Sequence, residues 1–202
     1  MLDSAAAGFA TGLSLIVAIG AQNAYVLRQG VLRAHVPAVV AVCAVSDLVL
    51  ILTGVSGIGA IVDRAPVVLD IVRWFGVAFL LWYAAGALRR AFRPEALSAA
   101  GDGSESTGRA VGRAVALTWL NPHVYLDTVL LLGSIAATHD DLAGGRWWFA
   151  AGAGLASIAW FTGLGFGAGK LAPLLARPRS WQALELLIAA TMIAIAAKLA
   201  VG

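Results

Sequence analysis

Six long apolar blocks decide what this chain can fold into. They run over about residues 5–27, 37–62, 66–88, 114–136, 147–169 and 181–201. Each is close to the roughly twenty residues that cross a hydrocarbon core about 30 Å thick. In lipid every backbone donor and acceptor must be satisfied within the protein, so only helices and closed barrels span. The blocks are continuous and lack the two-residue alternation of barrel strands, which predicts six transmembrane α-helices. Charge agrees: 12% of the 202 residues are charged and 60% are hydrophobic, whereas a soluble domain carries about 25% charge. The expectation is one all-α transmembrane domain over residues 1–202.

The longest polar stretch, 89–113, contains "RPEALSAAGDGSESTG" and reads as a flexible loop between two sets of three helices. Three is odd, so related halves would have inverted topology, the plan of many secondary transporters. Six helices without a repeat fit the layout as well. Ten Lys and Arg residues follow blocks 1, 3 and 5: Arg28, Arg33, Arg89, Arg90, Arg93, Arg109, Arg113, Lys170, Arg177 and Arg179. Four, namely Arg64, Arg73, Arg146 and Lys198, lie on the opposite side. The excess places the first group in the cytoplasm and both termini outside. The first block lacks a basic leader and reads as a retained helix. A single cysteine, Cys43, excludes an intrachain disulfide. The net charge of +3 reflects topology and is no sign of nucleic-acid binding.

Polar groups inside the blocks are costly and therefore informative. Asp47, in "VCAVSDLVLILTG", lies roughly 15 Å from Pro37 at helical rise, near the midplane. It reads as a cation or proton site, or as a carboxylate that pairs with a neighbouring helix. Asp127, in "WLNPHVYLDTVLLLG", falls roughly 21 Å from Arg113. His123 is four residues earlier on the same helical face, so the two form either a local contact or a proton relay. Pro122 removes a backbone donor and frees the carbonyl of Thr118, which suits a helix break beside Asn121, His123 and Tyr125. In "IGAQNAYVLRQG", Gln22 and Asn23 follow Gly20, a second site for a break. Adjacent residues point about 100° apart on a helix, so the two amides need two different neighbours or an unwound stretch. Gln22 and Asn121 lie at similar depths, roughly 9 Å from Arg28 and 12 Å from Arg113. The pattern is a polar path with amides near its cytoplasmic mouth and carboxylates at its centre; its candidate binding residues are Gln22, Asn23, Asp47, Asn121, His123, Tyr125 and Asp127, with Gly20 and Pro122 as the helix breaks.

Other polar residues read differently. Lys198 is placed to snorkel to the interface, Glu185 to be solvated, and Trp160 to pack. Asp70 and Arg73 face each other at i,i+3. The glycine-rich faces permit a homo-oligomer. No metal-ligand spacing, cofactor motif or catalytic constellation is present, so neither a metal site, a cofactor nor an enzyme is expected.

The stretches "GAQNAYVLRQG", "SDLVLI" and "LNPHVYLDTVLLLGS" resemble the lysine exporter (LysE) family, over nearly the whole chain and closest to its lysine and arginine branch. Relatives that export neutral amino acids tend to carry Pro-Gly-Pro in the first helix, where this chain has Gly20-Ala21-Gln22-Asn23. The resemblance implies a secondary exporter of basic amino acids in the bacterial inner membrane, driven by the proton gradient or the membrane potential. The family motifs carry over to Gln22, Asn23, Asp47, Asn121, Pro122 and Asp127. The alternatives are export of neutral amino acids or of another small cation such as a metal ion.

Overall fold

The computed structural model describes residues 1–17, 20–57, 66–92, 105–121, 124–139, 144–171 and 178–201. All regular structure among these residues is helical, with no strand. The first apolar block is two helices, α1 (Leu2–Ile16) and α2 (Ala21–Leu32), whose axes differ by 82°. Then come α3 (Val36–Val55), α4 (Pro66–Ala91) and α5 (Thr107–Trp119). A π-helical stretch, Tyr125–Leu131, runs into the short α6 (Leu132–Ala137). The chain continues as α7 (Gly145–Gly167), one 3-10 turn (Ala168–Leu171) and α8 (Pro178–Val201).

The all-helical expectation holds, with three to four candidate membrane spans among the described residues. Among the described residues three helices, Val36–Val55, Gly145–Lys170 and Arg179–Val201, are long and apolar enough to cross a membrane, and the bent pair α1–α2 makes up to a fourth. The helix α4 has the length, and carries Asp70 and Arg73 near its start and Arg89 and Arg90 at its end. The fourth apolar block is divided around Leu120 and Asn121, so each piece is short. The polar stretch read as a loop over 89–113 is helical at both ends. Ser106 caps α5, its hydroxyl accepting from the Arg109 N–H at 3.4 Å, and Glu105 pairs with Arg113 at 2.8 Å. Residues 93–104, Asp63, Arg64, Asp140, Asp141 and Arg177 lie outside the described residues.

The turn between α2 and α3 takes three residues. Arg33 takes a left-handed conformation (φ 51°), its N–H bonds Gly30 O, and the Ala34 N–H reaches back to Gln29 O. This pairing closes the last carbonyls of a helix. Pro37 follows in the first turn of α3, where its missing donor costs nothing. His35 then ties this turn to α5 through Glu105 O (2.8 Å) and Thr107 Oγ1 (3.0 Å).

Close helix packing rests on small residues, because lipid supplies no hydrophobic drive for helices to associate. The helix α1 lies on α7, where Gly8 and Gly152 face backbone of the other helix with no room for a Cβ. The helix α3 meets the π-helical stretch and α6 through Gly54 and Gly133, equally without room. The helix α8 packs along α4, and α7 along α3. Arg73 on α4 bonds the carbonyls of Leu199 and Ala200 at the end of α8 and pairs with Asp70 at 4.0 Å. Lipid-facing side chains such as Trp74, Phe75 and Trp82 are exposed, as a bilayer solvent requires. Cys43 is buried and free.

Candidate functional site

The two helix breaks generate the polar site. A break leaves backbone carbonyls without their i+4 donors, and inside a membrane these must find other partners. At the first break Gly20 is extended (φ −118°, ψ 176°). Asn23 bridges it: its Nδ2 donates to Ile16 O at 2.6 Å, and its Oδ1 accepts from Trp160 Nε1 at 3.1 Å. Gln22, about 100° further round the helix, faces Asp47 and Cys43 instead. Its Nε2 is buried and makes no hydrogen bond of full geometry among the described residues.

The second break is closed in the same manner. The Asn121 N–H donates to Thr118 O at 3.3 Å, taking up the carbonyl that the proline step would free. The Tyr125 hydroxyl donates to Trp119 O at 2.8 Å, six residues back across the break. The wide turns that follow make i→i+5 bonds, such as the Leu132 N–H to Asp127 O. Such widened turns are frequent at functional sites. Pro122 and His123 lie outside the described residues.

Between the breaks lies a cavity of about 240 Å³. Gly20, Gln22, Asn23, Asp47, Asn121 and Asp127 all line it, so two distant stretches of sequence meet with α3 at one place. Tyr125 does not line it; its hydroxyl serves the helix break. Phe161 on α7 and Ile195 on α8 supply apolar wall. Asp47 is buried and accepts from the Ser157 hydroxyl at 2.8 Å. Asp127 is half-buried. Among the described residues neither carboxylate has a Lys or Arg within 4.0 Å.

Three features escape a reading of the sequence. Ser157, fully buried on α7, is one serine in an Ala/Gly-rich helix, and nothing local marks it as a partner of Asp47. Lys198 lines the cavity, although its place near a helix end suggests an interface anchor. Glu185, expected in solvent, is fully buried. Its Oε1 accepts from Arg28 Nε at 2.9 Å and Arg90 Nε at 3.0 Å, and its Oε2 accepts from Arg90 Nη2 at 3.0 Å. Trp181 and Tyr83 flank the two guanidinium groups at 5.9 and 5.7 Å. Two arginines far away in sequence make that burial affordable, and only the packing of α2, α4 and α8 brings them together.

Comparison with known proteins shows the family. The family model described as "LysE type translocator" matches residues 13–202. A relative from Mycobacterium tuberculosis, described in general terms as an amino-acid transporter, is 46% identical over 91% of this chain and 90% of its own length. The arginine exporter protein ArgO of Yersinia enterocolitica is 45% identical over 96% of this chain and 94% of its own length. The lysine exporter LysE of Corynebacterium efficiens is 39% identical over 95% of this chain and 96% of its own length. No solved structure matches.

Proposed function

The chain belongs to the LysE type translocator family, a multi-pass membrane protein, and from that premise we propose that it exports L-lysine and L-arginine across the bacterial inner membrane. The observation that carries this reading is the cavity: two carboxylates from different parts of the chain face one space, and no Lys or Arg among the described residues lies within 4.0 Å of either. A charge in a low-dielectric site needs an opposite charge. A cationic solute supplies it, and a neutral amino acid offers only one cation for two carboxylates. The names of the relatives, an arginine exporter and a lysine exporter, support the same substrate class.

The roles divide as follows. Asp47 and Asp127 take the substrate's cationic groups, and either can carry the coupling proton in the unloaded state. Gln22 and Asn121 offer amide donors and acceptors to the amino-acid end. Asn23 and Tyr125 keep the two breaks open. Gly20 and Pro122 make the breaks, and His123 stands four residues before Asp127 as a proton relay. Transport proceeds by alternating access, driven by the proton gradient or the membrane potential.

Two inverted three-helix halves suit this cycle. In support, the first apolar block of each half is broken at its polar motif, and each is bridged by a side chain bonded to a carbonyl six or seven residues back. The packing follows the same exchange. The first helix of one half lies on the second of the other (α1 on α7, α6 on α3), each pair through glycines.

The test is efflux from cells loaded with lysine- or arginine-containing dipeptides, followed by counterflow of both amino acids in proteoliposomes with and without a pH gradient. Faster efflux in expressing cells is expected. Efflux that stays unchanged when Asp47→Asn and Asp127→Asn are combined would rule out the carboxylate scheme.

A further inference from the structure

Lys198 is the third charged residue of the described cavity lining, with Asp47 and Asp127. It lies on α8, and Ile195, one helical turn earlier, lines the same wall. The face of α8 packed into the protein carries Ile188, Met192, Ala196 and Leu199. Lys198 is off that face and exposed, with no ion-pair partner among the described residues. The other lysine and arginine side chains in contact with carboxylates here belong to separate pairs: Arg28 and Arg90 with Glu185, Arg73 with Asp70, Arg113 with Glu105.

The pattern of charge is specific. Two carboxylates and one ammonium present two negative groups and one positive group to a single space. A basic amino acid is the complement of this set, with an α-ammonium, a cationic side chain and one α-carboxylate. We propose that Lys198 receives the α-carboxylate of the substrate, and so makes the cavity selective for amino acids over simple diamines. This rests on the exporter reading above and adds a residue to it. An ammonium is a compact charge with rotatable donors on a flexible stem, suited to meeting a carboxylate that arrives with a mobile solute. Without it, a bound amino acid would hold its carboxylate in a wall that otherwise offers amides and two like charges. The site would then favour a solute with two cations and no anion.

The experiment measures inhibition of labelled-lysine counterflow in proteoliposomes by unlabelled lysine, by lysinamide, and by the diamine left when lysine loses its carboxyl group. The wild-type protein is expected to prefer lysine over the diamine and over lysinamide by roughly tenfold, the scale of one charge-assisted hydrogen bond. Lys198→Met should erase that preference, and Lys198→Arg should retain it. Equal inhibition by all three solutes in the wild-type protein overturns the inference without recourse to a variant. So does a Lys198→Met protein that discriminates as the wild type does. Wild-type protein that carries neither lysine nor arginine would defeat the exporter reading itself, a result distinct from lysine transport without carboxylate selectivity. A folding defect in Lys198→Met would appear as loss of monodispersity in detergent, and the wild-type competition would then decide.

Discussion

Two groups of buried charge in this protein obey the same electrostatics with opposite outcomes. At the end of the bundle that the arginine count assigns to the cytoplasm, Glu185 is bonded through both oxygens by two arginines. In the cavity, Asp47 has the Ser157 hydroxyl and the facing Gln22 amide, and Asp127 has no hydrogen bond or ion pair among the described residues. Burial of an unpaired charge costs several kcal/mol. The first group meets that cost with fixed partners and joins α2, α4 and α8. The second is partnered weakly among the described residues, and in the proposed export scheme its charge is met by the solute. The degree of internal pairing therefore separates a carboxylate that holds helices together from the two that the proposed function assigns to the substrate.

The largest effect should come from breaking the fixed cluster. Glu185→Ala leaves Arg28 and Arg90 facing each other without an anion, and should cost about 3–5 kcal/mol of stability, read as a lower midpoint of thermal unfolding in detergent. If unfolding is unchanged, the cluster is not the clamp described here. The cavity should respond the opposite way. Asp47→Asn keeps an acceptor for Ser157, so the protein should unfold near the wild-type temperature, yet lysine efflux should fall by roughly tenfold or more. A stability loss as large as that of Glu185→Ala would erase the distinction between the two groups.

The paired amides provide a finer contrast. Asn23→Ala removes the bonds to Ile16 O and from Trp160, and should cost about 1–3 kcal/mol by leaving a carbonyl unsatisfied. Gln22→Ala removes an amide whose Nε2 has no hydrogen-bond partner of full geometry among the described residues, so it should raise the KM for lysine with little change in unfolding. Smallest of all, Tyr125→Phe deletes the bond to Trp119 O and should cost about 1 kcal/mol while leaving the KM alone. A change of KM as large as that of Gln22→Ala would move Tyr125 from the helix break to the substrate.

Much of the site was legible from sequence, because polar groups in an apolar run are conspicuous. Gln22, Asn23, Asp47, Asn121 and Asp127 stand out for that reason, and all line the cavity. What local pattern could not separate was the direction of each side chain. Gln22 and Asn23 are chemically alike and adjacent, yet one faces Asp47 and the other seals a broken helix. Glu185 and Lys198 misled for a related reason. A charged residue near a helix end is ordinarily solvated or snorkelling, and its true partner comes from another helix.

The sequence by itself determined the solvent of this protein, its helical class and the short list of polar residues that need an explanation. Those follow from composition, block length and the rule that backbone groups in lipid must be satisfied within the chain. Only the tertiary structure decided which charges are paired, which neighbour each amide meets, and that Lys198 shares a wall with Asp47 and Asp127. The reason is physical: the energy of a buried charge depends on the groups within a few ångströms of it, and here those groups lie as far apart in sequence as Arg28 and Glu185.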